Sequence, residues 1–245
     1  MYRFFVLPEN IQGSTIRLLG NDVKHIKDVL RLKSGEKIHV LDGMGNRYIV
    51  VISEVSHQAV SGEIFSKEKY EIESHLKVHM GQALIKGSKI DGIIKKSVEL
   101  GVSSIYGLKT ERCIAKIKEE DVEGKIARWN KIVMEACKQC GRNISPMVEK
   151  TILTVEGFCE KHTACDLKLI FWENEEITRL KDVEVPKKIS SVAFIAGPEG
   201  GFLPGEVEIA RKHGFQTVSL GPRIIRAETA SPVINGLLQN MWGDL

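Results

Sequence analysis

The feature that most constrains the fold is a set of short apolar runs in the second half of the chain. These runs are rich in β-branched residues and read DLKLIFW (166–172), SSVAFIA (190–196) and QTVSL (216–220). Such runs are typical of strands that are buried on both faces of a parallel sheet. Segments with helical spacing separate them, and alternating strands and helices predict an α/β domain.

The same alternation begins near residue 75. LKVHMGQAL (76–84) and VSSIYGL (102–108) are predicted strands, and SKIDGIIKKSVELG (88–101) between them is a predicted helix. Ser88 and Asp91 resemble a capping box at its start, and Gly101 stands where a helix C-cap belongs. A long helix is predicted within 119–142.

The first seventy residues predict a smaller, β-rich unit. YRFFVL (2–7) and AVSGEIF (59–65) are predicted strands, and EKIHVLDGMGNRYIVVISEV (36–55) is a predicted hairpin with its turn at DGMGN. NDVKHIKDVLRL has the spacing of a short helix. The polar segment SKEKYEIES (66–74) is the candidate linker, so the predicted domains are 1–70 and 71–245.

Composition restricts the function only weakly. Of the 245 residues, 42% are hydrophobic and 27% are charged, and the formal net charge is +3. No apolar run reaches the roughly 18 to 20 residues that span a bilayer, and MYRFFVLPEN lacks the plan of a signal peptide. We therefore expect a soluble, cytoplasmic protein without a membrane partner, in which RNA binding would depend on a local basic patch.

The cysteine pattern argues against a metal centre. The chain has five cysteines, and Cys137 and Cys140 form a C-x-x-C pair. A structural zinc site needs four ligands, and the remaining cysteines provide no second pair. We expect reduced thiols packed in a helix and no bound metal.

Two predicted strands leave the sheet through glycine–proline loops. Gly197-Pro198 lies within IAGPEGGF, and Gly221-Pro222 lies within SLGPRIIRAETA. Ligands of parallel α/β sheets bind at the carboxyl ends of strands, where glycine lets a ligand contact the backbone. We expect the two loops to lie side by side at one edge of the sheet. A plain strand-to-helix turn is the alternative for the first loop.

The charges of these loops favour a polar, flat-ringed ligand over a bare phosphate. The first loop offers Glu199, and the second offers Arg223, Arg226 and Glu228. The glycine spacing fits neither the G-x-G-x-x-G nor the Walker A pattern. A nicotinamide-dependent oxidoreductase is therefore the weakest hypothesis.

The long predicted helix carries a row of polar residues on one face. Arg128, Glu135, Gln139 and Arg142 make up this row. Such a row can line an RNA groove or a subunit interface, although it is more often a solvated face. Lys96 and Glu99 are best explained as a simple surface ion pair.

The motifs KGSKIDGIIKKSVELGV, EACKQCGR, IAGPEGGF and SLGPRIIRAETA occur in this order after a β-rich unit that opens with YRFFV. Together they resemble the ribosomal RNA small subunit methyltransferase E family, in the knotted SPOUT class, essentially from end to end. The sequence departs from the family pattern at Ile225, at Ala227 and in SPVINGLLQN, where Pro232 lies near the start of the last helix.

The resemblance implies a fold and an activity. It implies a PUA-like RNA-binding β-barrel followed by an α/β SPOUT domain with a C-terminal trefoil knot. The implied reaction is methylation of N3 of one uridine in 16S ribosomal RNA, with S-adenosylmethionine as the cofactor. It also implies a homodimer whose active site lies at the subunit interface.

The resemblance assigns roles to particular residues. The implied cofactor-binding residues are Gly197, Pro198, Gly200, Gly201, Leu220, Gly221, Ile224, Ile225, Thr229 and Ala230. From the chemistry, we expect Arg226 to stabilise the uracilate anion and Glu199 or Glu228 to accept the N3 proton. An alternative for Glu228 is that it caps its helix and pairs with Arg223. The candidate RNA contacts are Arg3, Arg31, Lys33, Lys89 and Arg142.

Two other functions stay open at this point. One is a SPOUT enzyme that methylates a ribose 2′-hydroxyl of another RNA, which EACKQCGR and the N-terminal unit disfavour. The other is a non-catalytic RNA-binding or ribosome-assembly factor, which the intact Gly-Pro loops disfavour.

Overall fold

The chain divides into two compact units in the computed structural model, which describes residues 1–70, 72–115 and 117–245. Unit 1 comprises Met1–Glu73 and Met134–Ser145, and unit 2 comprises Ser74–Val133 and Pro146–Leu245. Among the residues described, none of the helices has the length and apolar character that crossing a membrane requires.

Unit 1 is built on a six-stranded sheet with the order β1-β4-β5-β6-β3-β2. Its elements are β1 (Arg3–Phe5), β2 (Ile11–Gln12), β3 (Thr15–Leu19), α1 (Asn21–Lys24), β4 (Lys37–Leu41), β5 (Asn46–Val55) and β6 (Ala59–Lys69). Strand β1 is parallel to β4, and the other pairs are antiparallel. Helix α1 continues as a π-helix over His25–Leu30. Alternate strand residues, among them Phe4, Val40 and Ile52, face the core of this unit.

The predicted linker SKEKYEIES is wrong over its first part, because β6 runs through it. Residues 66–69 pair with residues 46–49 of β5. Glu68 and Arg47 are direct neighbours across the strands and form an ion pair of 2.6 Å. The charged residues of 66–69 therefore belong to a surface strand. Glu71, in the rest of the predicted linker, lies outside the described residues.

Unit 2 contains the predicted parallel sheet, with the order β12-β10-β11-β7-β8-β9. Its elements are β7 (Lys77–Ala83), α2 (Lys89–Glu99), β8 (Val102–Leu108), α3 (Glu119–Cys140, whose last turns count with unit 1), β9 (Met147–Val148), α4 (Val155–Lys161), β10 (Leu167–Phe171), β11 (Ser191–Ala196), α5 (Pro204–Lys212), β12 (Gln216–Val218) and α6 (Ala227–Trp242). Residues 192–196 of β11 are buried without interruption, as the apolar run predicts. Helix α6 contains Pro232 in its second turn.

Strand order corrects the expectation that the two Gly-Pro loops are direct neighbours. Strand β10 lies between β11 and β12 and pairs in parallel with both. The loops do leave the same edge of the sheet, but the exit from β10 separates them. Order along the chain does not determine order in a parallel sheet, because each crossover can skip a strand.

The start of α2 also differs from the prediction. The side chain of Ser88 makes no cap hydrogen bond, and the carboxylate of Asp91 is bonded instead to Arg128 of α3. The capping box is therefore absent. Gly101 has a φ of +79°, so the predicted left-handed residue after this helix is confirmed.

Candidate active site

A cavity of about 520 Å³ opens at the carboxyl ends of β10, β11 and β12 in unit 2. Its walls are residues 171–173 at the end of β10, residues 196–201 at the end of β11 and residues 218–226 at the end of β12, together with the start of α6 and Lys89. This is the position at which parallel α/β sheets bind ligands. The volume falls within the range of about 300 to 1,000 Å³ that small-molecule sites occupy.

The structure brings the predicted residues of the two loops together, with one exception. The predicted residues that line the cavity are Gly197, Pro198, Glu199, Gly200, Gly201, Leu220, Gly221, Ile224, Ile225, Arg226, Glu228, Ala230 and Lys89. Thr229 is exposed on α6 and does not belong to the lining. The α6 helix turns its side chain away from the wall that Glu228 and Ala230 form.

The backbone of the first loop packs closely against neighbouring side chains of the protein, which leaves little room for a side chain at two of its glycines. Gly201 has a φ of +69°, and an added methyl group would overlap the carboxylate of Glu173. A methyl group on Gly200 would lie 3.1 Å from Cβ of Arg112. These two glycines therefore allow the loop backbone to pack against Glu173 and Arg112, in addition to any contact with a ligand.

Hydrogen bonds from two other segments hold the first loop. The guanidinium of Arg112 donates to the carbonyl of Gly200 at 3.1 Å, and the backbone N–H of Lys86 donates to Oε1 of Glu199 at 3.2 Å. Lys86 follows β7, the neighbour of β11. The loop and its carboxylate are thus positioned before any ligand binds.

Glu173 is a cavity residue that the sequence reasoning missed. It follows β10, the strand between the two Gly-Pro exits, and lines the cavity beside Gly201. Within the described part of the chain, no hydrogen bond or ion pair engages its carboxylate. In the sequence, Glu173 belongs to the acidic run ENEE (173–176), which directly follows an apolar run. This run indicates a cavity residue only once β10 is known to lie between β11 and β12.

The second loop presents Arg226 to the cavity. The carbonyl of Arg226 accepts hydrogen bonds from the N–H groups of Thr229 and Ala230 at 2.8 and 2.9 Å, which begins helix α6. Its guanidinium is exposed and has no hydrogen-bond or ion-pair partner among the residues described. The side chain of Ile224 is 92% exposed beside it. A cation and an apolar side chain therefore both face an incoming ligand.

Glu228 is held in its charged form. Its carboxylate bonds to its own backbone N–H and lies 3.3 Å from Nζ of Lys89. These contacts, the backbone hydrogen bond first, hold the pKa of Glu228 below its ordinary value. The alternative ion pair of Glu228 with Arg223 is not formed, and Lys89 is its partner instead.

Helix α6 is fixed to the sheet by buried polar side chains. Ser231 bonds to Oε1 of Gln82 at 2.5 Å, and Nδ2 of Asn235 donates to Oγ of Ser97 at 3.1 Å. All four residues are fully buried. These bonds position the N-terminus of α6, and with it Arg226 and Glu228.

The candidate RNA contacts of unit 1 divide into two groups. Arg3, Arg31 and Lys33 are exposed. Arg142 is only 8% exposed, and its Nη2 bonds to Oε2 of Glu73 at 2.5 Å. A guanidinium committed to a buried ion pair is not available to a phosphate, so the assignment of Arg142 to RNA is corrected to a structural role.

The polar row of α3 does not act as one surface. Arg128 is bonded to Asp91, and Oε1 of Glu135 lies 3.3 Å from Nζ of Lys138. Gln139 is exposed, and Arg142, which lies beyond the end of α3, is buried. Lys96 and Glu99 are exposed, and the described residues contain no ion pair between them.

The cysteines have no metal-binding geometry in the residues described. All five are free, and burial raises the pKa of Cys137 to about 12. The group that could hold a metal ion consists of Glu156, Glu160 and His213, and contains no cysteine.

Known families match both parts of the sequence. Residues 72–239 match an RNA methyltransferase domain, and residues 18–65 match an RNA methyltransferase PUA domain. The parallel sheet, the cavity at its carboxyl edge and these matches define an RNA methyltransferase.

Full-length relatives narrow this class. The ribosomal RNA small subunit methyltransferase E of Buchnera aphidicola subsp. Acyrthosiphon pisum is 35% identical over 239 residues, which cover 97% of this chain and 93% of the relative. The Bacillus subtilis enzyme of the same name is 30% identical over 239 residues, which cover 94% of this chain and 93% of the relative. The chain belongs to the ribosomal RNA small subunit methyltransferase E family. The crystal structure of the Neisseria gonorrhoeae member bound to S-adenosyl methionine has a TM-score of 0.89 and 35% identity, and it covers 100% of this chain and 99% of that one.

Proposed function

We propose that this chain transfers the methyl group of S-adenosylmethionine to N3 of one uridine in 16S ribosomal RNA. The observation that carries the proposal is the cavity, which is lined by glycine-rich backbone, by apolar side chains and by Arg226, whose guanidinium has no ion-pair partner among the residues described. The chain that contains this cavity belongs to an RNA methyltransferase family. The proposal includes an RNA-binding domain over 1–70 and a catalytic domain over 71–245. It also includes a trefoil knot through the C-terminal segment.

The residues of the cavity suit S-adenosylmethionine. Leu220 and Ile225 can cover the faces of an adenine, and the loop backbone can bond to its edge. The carboxylate of Glu173 can accept hydrogen bonds from hydroxyl or ammonium groups and offsets a positive charge. When bound, S-adenosylmethionine supplies an electrophilic methyl group on a positively charged sulfur.

The geometry favours one of the two candidate proton acceptors. Uridine N3 must lose its proton before or during attack, so a carboxylate near the bound base is needed. The lowered pKa of Glu228 and its contact with Lys89 weaken it as an acceptor. We assign proton acceptance to Glu199 and stabilisation of the uracilate anion to Arg226.

The test is methylation of 16S RNA and of small ribosomal subunits with labelled S-adenosylmethionine, followed by mass spectrometry of the nucleosides. We expect N3-methyluridine from the wild-type protein and none from Arg226→Ala, whose folding is checked by circular dichroism. Detection of a 2′-O-methylated nucleoside instead would show that the protein methylates ribose and not uridine N3. RNA binding without methyl transfer and without cofactor binding would favour the assembly-factor function.

The proposed homodimer would complete the active site. The exposure of Ile224 on the cavity wall supports a surface that a second subunit or the RNA covers. Light scattering during gel filtration measures the state of the protein in solution. A monomer with full methyl transfer would rule the dimer out.

A further inference from the structure

Unit 1 has a sheet face that combines cationic and aromatic side chains. In β4, Ile38 and Val40 belong to the buried core, so Lys37 and His39 lie on the opposite face. Arg3 is the direct neighbour of His39 across β1 and β4, and it is exposed. We call this side of the sheet, with Lys37, His39 and Arg3, the outer face.

A β-bulge adds an aromatic ring to the outer face. The pairing of β5 with β6 shifts between Ile49 and Val50, and Phe65 is left without a partner residue on β5. Bulges redirect side chains in this way. Phe65 is 65% exposed, and Nζ of Lys37 lies 4.0 Å from its ring centre. The ring is therefore held by a cation while most of its surface stays uncovered.

The outer face also carries a charged pair and a second aromatic ring. Arg47 is paired across the strands with Leu41, a buried residue two positions after His39, and its guanidinium lies 4.0 Å from the Tyr70 ring centre. The pKa of His39 is lowered, by burial first and then by the charge of Arg47. Glu68 neutralises part of this charge through its ion pair with Arg47.

We propose that Phe65 forms a stacking platform for an unpaired base of the RNA substrate, with Lys37, whose ammonium group lies over the ring, and Arg3 contacting the flanking phosphates. Exposed aromatic rings bind single-stranded RNA by stacking on its bases, and neighbouring cations bind its backbone. Lys37 and Arg3 are exposed cations on this face, and they favour a polyanion over another protein. The platform rests on the proposed RNA substrate but not on the position that is methylated.

The test is equilibrium binding of a 16S RNA transcript to the full chain over a series of salt concentrations. Phe65→Ala should weaken binding about tenfold or more without changing the salt slope, because stacking releases no counterions. Phe65→Trp should restore the affinity. Lys37→Ala should reduce the magnitude of the salt slope by about one.

A matched control is Val29→Ala, which shortens another exposed apolar residue of unit 1, 69% exposed, outside the outer face. Binding of S-adenosylmethionine is measured in parallel and should be unchanged in all of these variants. A wild-type protein that binds RNA but does not methylate it would overturn the proposed function and leave the platform intact.

Two results would overturn the platform. One is wild-type RNA affinity and wild-type KM for RNA in both Phe65→Ala and Lys37→Ala. The other is a change of oligomeric state in Phe65→Ala with unchanged RNA affinity, which would assign the outer face to a protein contact.

Discussion

Gly201 and Glu173 depend on each other within the cavity wall. Gly201→Ala would place a methyl group on the carboxylate of Glu173 at a φ of +69°, where a side chain costs about 1 to 2 kcal/mol. Glu173 must then leave its position. We expect S-adenosylmethionine to bind at least about tenfold more weakly in isothermal titration, with a lowered Tm.

Gly205→Ala provides the control for this substitution. Among the residues that the structure describes, a methyl group on Gly205 meets nothing within 4 Å, and Gly205 lies in the first turn of α5. Alanine there should leave cofactor binding unchanged and keep or slightly raise stability. Wild-type cofactor affinity in Gly201→Ala would show that the position of Glu173 does not matter to the site.

The charge of Glu173 gives a second prediction for a single residue. Glu173→Gln keeps the shape of the side chain and removes its negative charge, so S-adenosylmethionine should bind about tenfold more weakly, or about 1.4 kcal/mol. Titration calorimetry measures this change. Glu176→Gln, which alters an exposed carboxylate outside the cavity lining, should have no effect. Equal affinities of the two variants would exclude Glu173 from the binding site.

At the scale of elements, periodicity predicted which segments are strands and helices but not how they are arranged. The apolar run of β10 was predicted as a strand, yet nothing in its sequence places it between β11 and β12. The arrangement follows from parallel pairing between strands that lie far apart in the chain, such as β11 with β7. For this reason the two glycine-rich walls of the cavity were predicted and the wall with Glu173 was not.

The buried polar face of α6 was also beyond prediction. Polar residues spaced four apart usually mark the solvated side of a helix, whereas Ser231, Asn235 and Gln239 are fully buried. Their partners come from segments more than a hundred residues earlier, such as Ser97 and Gly101. Only the folded chain shows that these side chains bond to other parts of the protein, and among the described residues Oδ1 of Asn235 has no hydrogen-bond partner.

Gln239→Ala tests the contribution of this face to stability. Gln239 accepts a hydrogen bond from Oγ of Ser74 at 2.7 Å and donates one to the carbonyl of Gly101 at 3.1 Å. Alanine would leave the buried hydroxyl of Ser74 and the half-buried carbonyl of Gly101 without this partner, so we expect a loss of about 2 to 3 kcal/mol in the free energy of unfolding by urea. Asn240→Ala, at the next and exposed position, should change it by less than about 0.5 kcal/mol. Equal effects would show that burial of the polar group is unimportant.

At the scale of the whole molecule, the family resemblance supplied what periodicity could not. Local patterns predicted a β-rich part and a parallel α/β part, and the matches over 18–65 and 72–239 confirm the family that the ordered motifs indicated. Arg142 shows the limit of local patterns. Its spacing places it on a polar row, and only the distant Glu73 reveals that it is buried.

Two histidines in the core of unit 2 link stability to pH. The rings of His79 and His162 lie 5.0 Å apart, and Nδ1 of His79 lies 2.7 Å from Oγ of Ser104. Burial, followed by the charges of His162 and Lys77, lowers the pKa of His79 from 6.5 to about 4. Burial also lowers the pKa of His162.

Stability should therefore fall as the pH drops from 6.5 towards 4. In this window the unfolded chain binds a proton at His79 and the folded chain does not, so the free energy of unfolding rises with pH. Because His79 is partly exposed, we expect its contribution to be about 1 to 2 kcal/mol. Urea unfolding at several pH values measures it, and His79→Gln should flatten the curve in this range, whereas the exposed His75→Gln should not. A curve for His79→Gln that keeps the wild-type slope between these pH values would show that another group causes the loss.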